Sequence, residues 1–457
     1  MTEATFGTGH TFGSALCVVL ISRVPCFILL ASARAEIRVL QEKVKDLTGR
    51  VKVLTVENES LKVEVEIYRE EAAAASGSKP LTSQSALGDP NTDASDDNLV
   101  SDLFVRSGQG VYPSKNEITW KNVHGSSNNL AVALSPDETV VASGGADKAL
   151  RLVFSAMEDT SGTSATLDLG APVISVAFAS NPLKSILACG CMDGSAYLVQ
   201  YAIENEGGRS VLKIIMHLSL PNKHNKYVKT VSWSPNESLL ATSSADGTVH
   251  MYRIYQDGLD SSTLAPKYGV QLVESLHLLT SIEALTFTND NQLLCYARNT
   301  PYIAAFDLGQ DMKQTKINVN KAALNATAGG FDEHVSMAVM DLKVSGATSH
   351  SCWLAATDTA RNFVLDARSN KIVRNLYGHA NDGFSQPKAV WSSNGQYVLG
   401  NTQDESVVCV WDVASQQLVD RLPGHGAPIR DLDSSPTSDM VVTAAFDKTT
   451  RLWYAST

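Results

Sequence analysis

The chain has 457 residues, a length that favours several domains or one large repetitive domain with appendages. Its formal net charge of -11 at pH 7 opposes a general attraction to phosphate backbones, so nucleic acid is not expected as a partner. The seven cysteines are an odd number without CxxC spacing, which argues against a disulfide framework and indicates a reducing, cytoplasmic compartment.

The first segment, residues 1–34, is an apolar extension for which the sequence leaves several roles open. Between Ser14 and Ala33 lies an almost uncharged run that is long enough to cross a bilayer or to act as a signal sequence. Arg23 near its middle costs roughly 3 kcal/mol of insertion free energy, which makes insertion marginal. The leading residues carry Glu3 instead of the usual Lys or Arg of a signal. A signal, a membrane anchor and an unstructured extension remain the alternatives.

The second segment, residues 35–72, is predicted to be a long coiled-coil α-helix. Its apolar positions alternate steps of three and four, with a β-branched residue followed by leucine, which favours a parallel two-stranded coil. Asn58 takes a buried position where its amide pairs best with the same amide of a partner in register, so a homodimer is expected. The alternative is a single helix packed on the rest of the chain. The predicted dimer seam comprises Ile37, Leu40, Val44, Leu47, Val51, Leu54, Asn58, Leu61, Val65 and Tyr68.

The third segment, residues 73–115, is predicted to be a disordered linker. It is rich in Ser, Asp, Asn, Gly and Pro and shows almost no apolar periodicity, so it cannot bury enough surface to order itself. Between residues 79 and 102, five aspartates accompany a single lysine. The linker is therefore expected to be acidic and extended.

The remainder, residues 116–457, contains repeats of roughly 43 to 59 residues, a length typical of four-stranded propeller blades. The last repeat, "LPGHGAPIRDLDSSPTSDMVVTAAFDKTTRLW", carries a Gly-His pair, a turn aspartate and a closing tryptophan. It resembles a unit of the WD-repeat (WD40) family. More degraded units keep fewer of these residues, namely His124 with Asp147, Asp193, Asp246 with Tyr252, Asp358, and Gly378-His379 with Asp404 and Trp411.

The resemblance implies an all-β, seven-bladed WD40 β-propeller. The strand "EITWKNV", residues 117–123, precedes the first repeat without a sheet of its own, and the last repeat lacks an outer strand. Pairing of the two would close the ring and remove an exposed sheet edge. In the family, the row formed here by His425, Thr443, Asp447 and Trp453 is a hydrogen-bonded network that stiffens the blade.

The expected function is a non-catalytic scaffold for protein–protein interaction. No phosphate-binding loop, dinucleotide fingerprint or HExxH motif is present, so no enzyme activity, catalytic residue, cofactor or metal is predicted. The His–Asp pairs lack an activated nucleophile and an oxyanion site. The alternative is a membrane-anchored trafficking or autophagy-type adaptor that uses residues 14–33 as its anchor and holds the propeller in the cytosol.

Two loops are candidates for binding partner proteins or peptides, because inter-blade loops vary without disturbing the sheets. The loop "PNKHNKYVK", residues 221–229, combines three lysines with a histidine and an aromatic residue, and "HANDGFSQP", residues 379–387, is an expanded loop. The candidate binding residues are Lys223, Lys226, Tyr227, Asp382 and Phe384.

Overall fold

The computed structural model describes residues 111–455, except 158–159, 182–183, 260–265, 310–311, 320–336, 347–350, 382–385 and 403–405. The predicted apolar extension, the dimer seam and the linker up to residue 110 lie outside the described residues. The described part consists of strands and their connections, with 28 strands in chain order.

The strands form seven four-stranded sheets, which are the blades of a propeller. An N-terminal strand, β1, spans Pro113–Lys121. Blade 1 contains β2 (Asn129–Leu134), β3 (Val140–Gly145), β4 (Ala149–Phe154) and β5 (Ala165–Asp168). Blade 2 contains β6 (Val173–Phe178), β7 (Ile186–Cys191), β8 (Ala196–Glu206) and β9 (Arg209–Ser219). Blade 3 contains β10 (Val228–Trp233), β11 (Leu239–Ser244), β12 (Thr248–Leu259) and β13 (Pro266–His277).

The remaining blades follow the same order. Blade 4 contains β14 (Ile282–Phe287), β15 (Gln292–Ala297), β16 (Tyr302–Asp307) and β17 (Lys313–Asn318). Blade 5 contains β18 (Val339–Val344), β19 (Cys352–Thr357), β20 (Asn362–Asp366) and β21 (Lys371–Leu376). Blade 6 contains β22 (Ala389–Trp391), β23 (Tyr397–Asn401), β24 (Val408–Asp412) and β25 (Leu418–Leu422). Blade 7 contains β26 (Ile429–Ser434), β27 (Met440–Ala445) and β28 (Thr449–Ala455), and the predicted all-β, seven-bladed propeller is thereby confirmed.

Blade 7 is completed by β1, so the predicted closure of the ring is confirmed. Strand β1 pairs antiparallel with β28, from Pro113 opposite Ala455 to Lys121 opposite Thr449. It begins and ends earlier than the predicted span 117–123. A proline is tolerated at the start of an outer strand, and Asn122 ends the strand because its φ of 54° is left-handed.

The core lies between neighbouring blades. The second strand of most blades is buried along its whole length, because a blade is covered by a neighbour on each face; β3 and β7 are examples. The indole of Trp233 in β10 donates to the Ala177 carbonyl of blade 2 over 3.0 Å. Trp391 in β22 donates to the Lys343 carbonyl of blade 5 over 3.3 Å. These bonds tie each of the two blades to the one before it.

Candidate functional site

One rim of the ring carries the turn aspartates, and we call it the Asp rim. It is formed by the loops between blades and by the turns between the second and third strands, which touch each other in blades 1, 3 and 7. The inner strands begin at this rim because each follows an inter-blade loop. The aspartates that define the rim are Asp147, Asp193, Asp246, Asp358 and Asp447.

Blade 7 contains a hydrogen-bonded row of four side chains. The Trp453 indole donates to Thr443 Oγ1 over 2.9 Å, and Thr443 Oγ1 lies 2.8 Å from His425 Nε2. His425 Nδ1 lies 3.0 Å from Asp447 Oδ2. Desolvation lowers the pKa of His425, so the imidazole is neutral at pH 7 and can donate from Nδ1 and accept at Nε2. Every link of the row then has one donor and one acceptor.

Blades 1 and 3 contain shorter versions of this row. In blade 1, His124 lies 2.7 Å from Asp147 and 3.0 Å from Ser143. In blade 3, His224 Nε2 lies 2.8 Å from Thr242 Oγ1, and its Nδ1 lies 2.7 Å from Thr248 Oγ1.

The sequence interpretation of His224 as part of a binding loop missed its position in the row of blade 3. His224 is 3% exposed, and desolvation lowers its pKa to about 4. A signal was present, because His224 precedes Thr242 by 18 residues, the separation that also joins His425 to Thr443. The imidazole is therefore unavailable to a partner.

The other described residues of the candidate loop lie on the Asp rim. Lys223 Nζ is 2.6 Å from Asp193 in an exposed ion pair. Lys226 is exposed, and Tyr227 is partly buried with Lys229 Nζ 5.6 Å from its ring centroid. The structure thus brings Lys223, Lys226 and Tyr227 together on one loop, whereas Asp382 and Phe384 lie outside the described residues.

A ring of six residues marks the start of the inner strands, and we call it the channel-mouth ring. Each of the six residues lies at a β-bulge, where the pairing between the inner and second strands skips one position. Such a bulge turns the side chain toward the rim. The buried side chains of Lys229 and Glu283 contact each other across neighbouring blades. The ring comprises Leu130, Ile174, Lys229, Glu283, Met340 and Arg430.

Below this ring the central channel contains a cavity of about 320 Å³ with charged walls. Lys388 lies 3.3 Å from Asp341, and Lys343 lies 3.7 Å from Asp433. Both pairs join different blades, so no local pattern in the sequence pointed to them.

Two aspartates also join blade 7 to blade 1. The Val132 amide donates to Asp431 over 3.0 Å, and the Leu134 amide donates to Asp433 over 3.1 Å. Burial raises the pKa of Asp431. Inner strands of neighbouring blades do not pair with each other, so these carboxylates satisfy amides that a sheet partner would otherwise use.

The described residues contain no cluster of three or more His, Cys, Asp or Glu side chains that could hold a metal ion. Within the same ranges, no helix has the length and apolar character needed to cross a bilayer.

Comparison with known proteins yields matches to parts of the chain. The profile of the WD domain, G-beta repeat, matches residues 120–153, 216–253 and 416–454. A Periodic tryptophan protein 2 homolog from Neurospora crassa is 33% identical over 60 residues, which is 13% of this chain and 7% of that protein. The U5 small nuclear ribonucleoprotein 40 kDa protein from Pongo abelii is 34% identical over 58 residues, 13% of this chain and 16% of that protein. A LEC14B homolog from Prunus armeniaca is 22% identical over 179 residues, 38% of this chain and 36% of that protein.

The matched segments agree with the geometry of the blades. They coincide with blades 1, 3 and 7, which are the blades that contain the hydrogen-bonded row of His425 and its counterparts. The chain spans only 7% and 16% of the first two relatives, so these matches bear on the repeats alone. The chain therefore contains WD repeats and folds as a seven-bladed β-propeller.

Proposed function

We propose that the protein is a non-catalytic scaffold that binds partner proteins or peptides through the loops of the Asp rim. WD-repeat propellers are typically interaction scaffolds. The observation that carries the proposal is the way in which the loop 221–229 is held. The His224 amide donates to the Gly194 carbonyl over 3.0 Å, and the His224 side chain is bonded inside blade 3. Lys226 and Tyr227 are therefore presented on a rigid loop, which reduces the entropy lost on binding.

The hydrogen-bonded rows support a structural role instead of catalysis. Thr443, His425 and Asp447 resemble a nucleophile, base and orienting acid in their order of contacts. Thr443 is 0% exposed, however, and its oxygen already accepts from the Trp453 indole. A nucleophile must reach its substrate next to oxyanion donors, and a buried hydroxyl cannot do so.

Dimerisation through residues 35–72 is the second part of the proposal. Two chains joined by a parallel coiled coil would carry two copies of the same rim loops on acidic linkers. Linked sites gain avidity through effective concentration, so a weak loop contact becomes useful binding. The net charge of -11 and the absence of CxxC spacing favour cytoplasmic protein partners over nucleic acid.

One relative supports a role in a larger assembly. The U5 small nuclear ribonucleoprotein 40 kDa protein is named as part of a ribonucleoprotein. For the present chain, a place in such an assembly would rest on contacts between the propeller and proteins, given its acidic charge.

Affinity capture with the full-length chain tests recognition through the rim. We expect the double variant Tyr227→Ala with Phe384→Ala to lose partners that the unmodified chain captures, as quantified by mass spectrometry. Tyr255→Ala is the matched control, because this 44% exposed tyrosine lies on β12, away from the loop. Retention of all partners by the double variant would show that the loops do not recognise them.

A second candidate function follows from the almost uncharged run in residues 14–33. A membrane-anchored trafficking or autophagy-type adaptor would use this run as its anchor, with the propeller facing the cytosol. Cell fractionation of the chain with and without residues 14–33 separates the two proposals. Loss of membrane association on deletion favours the anchored adaptor, and unchanged recovery in the soluble fraction favours the scaffold without an anchor.

A further inference from the structure

The cavity in the central channel has five charged side chains in its wall, which we call the channel cluster. Asp341 and Lys343 belong to β18 of blade 5, Lys388 directly precedes β22 of blade 6, and Asp431 and Asp433 belong to β26 of blade 7. All five line the same cavity of about 320 Å³, which is large enough for a small ligand group. Three carboxylates accompany two ammonium groups, so the fully ionised cluster carries one net negative charge.

Asp341 is a carboxylate of this cluster whose hydrogen bonding is incomplete. It is 3% exposed, and Lys388 Nζ donates to its Oδ1 over 3.3 Å. Its Oδ2 is buried and has no hydrogen-bond partner among the described residues. A buried carboxylate oxygen costs folding free energy unless a donor reaches it. The side chain therefore offers an acceptor to a donor that enters the cavity.

Asp431 is a second carboxylate with capacity for a donor. Its Oδ2 accepts a backbone amide of blade 1 over 3.0 Å, but within the described ranges it forms no ion pair with a Lys, Arg or His side chain. The two lysines of the cluster are paired elsewhere, Lys388 with Asp341 and Lys343 with Asp433 at 3.7 Å. Two carboxylates can thus accept a further donor, whereas both lysines are already engaged.

The cavity opens at the rim opposite the Asp rim, which we call the far rim. Inner strands begin at the Asp rim, and the turns that follow them lie at the far rim. Ser180 and Pro436, in the turns after β6 and β26, are exposed and line the cavity. A ligand can therefore reach the channel cluster from the far rim without passing the loops of the Asp rim.

A second cavity of about 230 Å³ adjoins the channel at the far rim. It is lined by Val344, Val390 and Trp391 of blades 5 and 6, and it shares Lys343 and Asp433 with the channel cavity. An extended chain seated in this second cavity would bring a neighbouring side chain to the channel opening. The pair of joined cavities therefore favours a peptide as the ligand over a free small cation.

We propose that the far-rim opening of the channel binds the ammonium or guanidinium group of a Lys or Arg side chain of a partner peptide, with Asp341 and Asp431 as its acceptors. A cation completes the hydrogen bonding of both carboxylates and neutralises the net charge of the cluster. Phe178 lines the same cavity and is partly buried, so it offers apolar surface to the alkyl part of the side chain. This site is additional to the one proposed on the Asp rim.

The channel cluster suits a cationic side chain better than an anion or a metal ion. An anion would meet more carboxylates than ammonium groups, and both ammonium groups are already paired. The described residues contain no cluster of three or more His, Cys, Asp or Glu that could hold a metal ion, and the Lys388 ammonium beside Asp341 would repel a divalent cation. The net charge of -11 on the chain also attracts cationic ligands.

Synthetic peptide libraries with one fixed central residue between random flanks test the inference on the full-length chain. The fixed residue is Arg, citrulline, Lys or acetyl-lysine, so each cationic residue has a neutral counterpart of similar shape. We expect the best Arg or Lys peptide to bind about tenfold or more tightly than its neutral counterpart, the effect of one charge-assisted pair. Fluorescence anisotropy measures Kd. Spermidine and N-acetylarginine methylamide are the free cations for comparison, and affinity equal to that of the peptide would overturn a peptide as the occupant.

Two changes in the cluster should shift the affinity of the best peptide in opposite directions. Asp431→Asn removes a negative charge but keeps an oxygen for the blade 1 amide, so it should weaken binding about tenfold and abolish the preference for the charged peptide. Lys388→Gln removes the ammonium that competes for Asp341, so it should strengthen binding severalfold. Asp257→Asn is the matched control, because this exposed aspartate lies on β12 outside the cavity. Thermal unfolding of each variant checks that the ring is intact.

The inference and the proposed function fail in different ways. Equal binding of charged and neutral peptides, a charge preference that survives Asp431→Asn, or weaker binding to Lys388→Gln would each overturn the inference. A charge preference lost with Tyr227→Ala instead would place the peptide on the Asp rim, which overturns the inference and supports the proposed function. Libraries that yield no cationic binder would overturn the inference alone, because partner capture through the loop 221–229 is measured separately.

Discussion

Single glycines show how the blades hold the recognition loop in place. Gly194, in the turn between β7 and β8, has a φ of 87°, and its carbonyl accepts the His224 amide. The same arrangement recurs in blade 3, where the Gly247 carbonyl accepts the Leu278 amide over 2.8 Å. The turn of one blade is thereby hydrogen-bonded to the loop that leads into the next blade. Residues in these turns therefore hold the loops of the Asp rim in position, in addition to ending the strands.

Replacement of Gly194 by alanine is expected to destabilise the propeller by roughly 2 kcal/mol or more, from left-handed strain and from overpacking. A Cβ at this position would lie 2.2 Å from the His224 carbonyl oxygen, which is backbone and cannot move aside cheaply. The control is Gly207→Ala at the tip of the β8–β9 hairpin. Its φ is 60° but a Cβ there meets nothing within 4 Å, so only the strain of about 1 kcal/mol remains. Urea unfolding measures both losses, and equal losses would show that the loop does not press on the Gly194 turn.

At the scale of elements, β1 fastens blade 7 to both of its neighbours. The Trp120 indole donates to the Met157 carbonyl of blade 1 over 2.6 Å, and Trp120 is 2% exposed. Tyr112, just before the strand, donates its hydroxyl to Asp420 of blade 6 over 2.9 Å. Strand β1 also covers the outer edge of β28, which would otherwise be free to pair with another chain.

Trp120→Ala is expected to cost about 3–5 kcal/mol of unfolding free energy, the range for large aromatic truncations in a core. Loss of this anchor should also weaken the closure and increase aggregation through the β28 edge. Tyr112→Phe serves as the comparison, since it removes one partly buried hydrogen bond worth about 1 kcal/mol. Urea unfolding and light scattering measure the two effects. A Trp120→Ala loss no larger than that of Tyr112→Phe would mean that β1 contributes little to closure.

The closure was predictable from the sequence, whereas the ion pairs of the channel were not. An unpaired strand before the first repeat and a missing strand after the last are both visible in the one-dimensional pattern. Lys229 and Glu283, by contrast, are 54 residues apart, and Lys388 and Asp341 are 47 apart. Such pairs form because inner strands of neighbouring blades converge on the channel, and their contacts depend on the rotation between blades. The structural role of His224 was also not recognised from the sequence. The repeat of blade 3 is degraded, because Tyr252 replaces the closing tryptophan there.

At the scale of the whole molecule, the proposed use of the propeller depends on how many copies act together. The loop 221–229 forms one small site per ring, and a single exposed ion pair made by its lysines contributes little affinity. Two rings on one coiled coil would multiply that affinity through effective concentration if the linkers span the partner sites. Linkers of acidic composition favour this because their charges repel each other and extend the chain.

A coiled coil over residues 35–72 would determine the oligomeric state of the chain. The full-length chain is expected to be a dimer at micromolar concentration, and Leu61→Lys should make it a monomer by placing a charge in the seam. Asn58→Val should preserve or strengthen association but relax its specificity, giving a mixture of oligomers or registers, because a buried asparagine selects the in-register dimer at a cost in stability. Sedimentation equilibrium measures stoichiometry, and disulfide trapping of single cysteines placed along the seam measures register. A monomeric native chain, or an Asn58→Val chain with unchanged stoichiometry and register, would contradict the role assigned to Asn58.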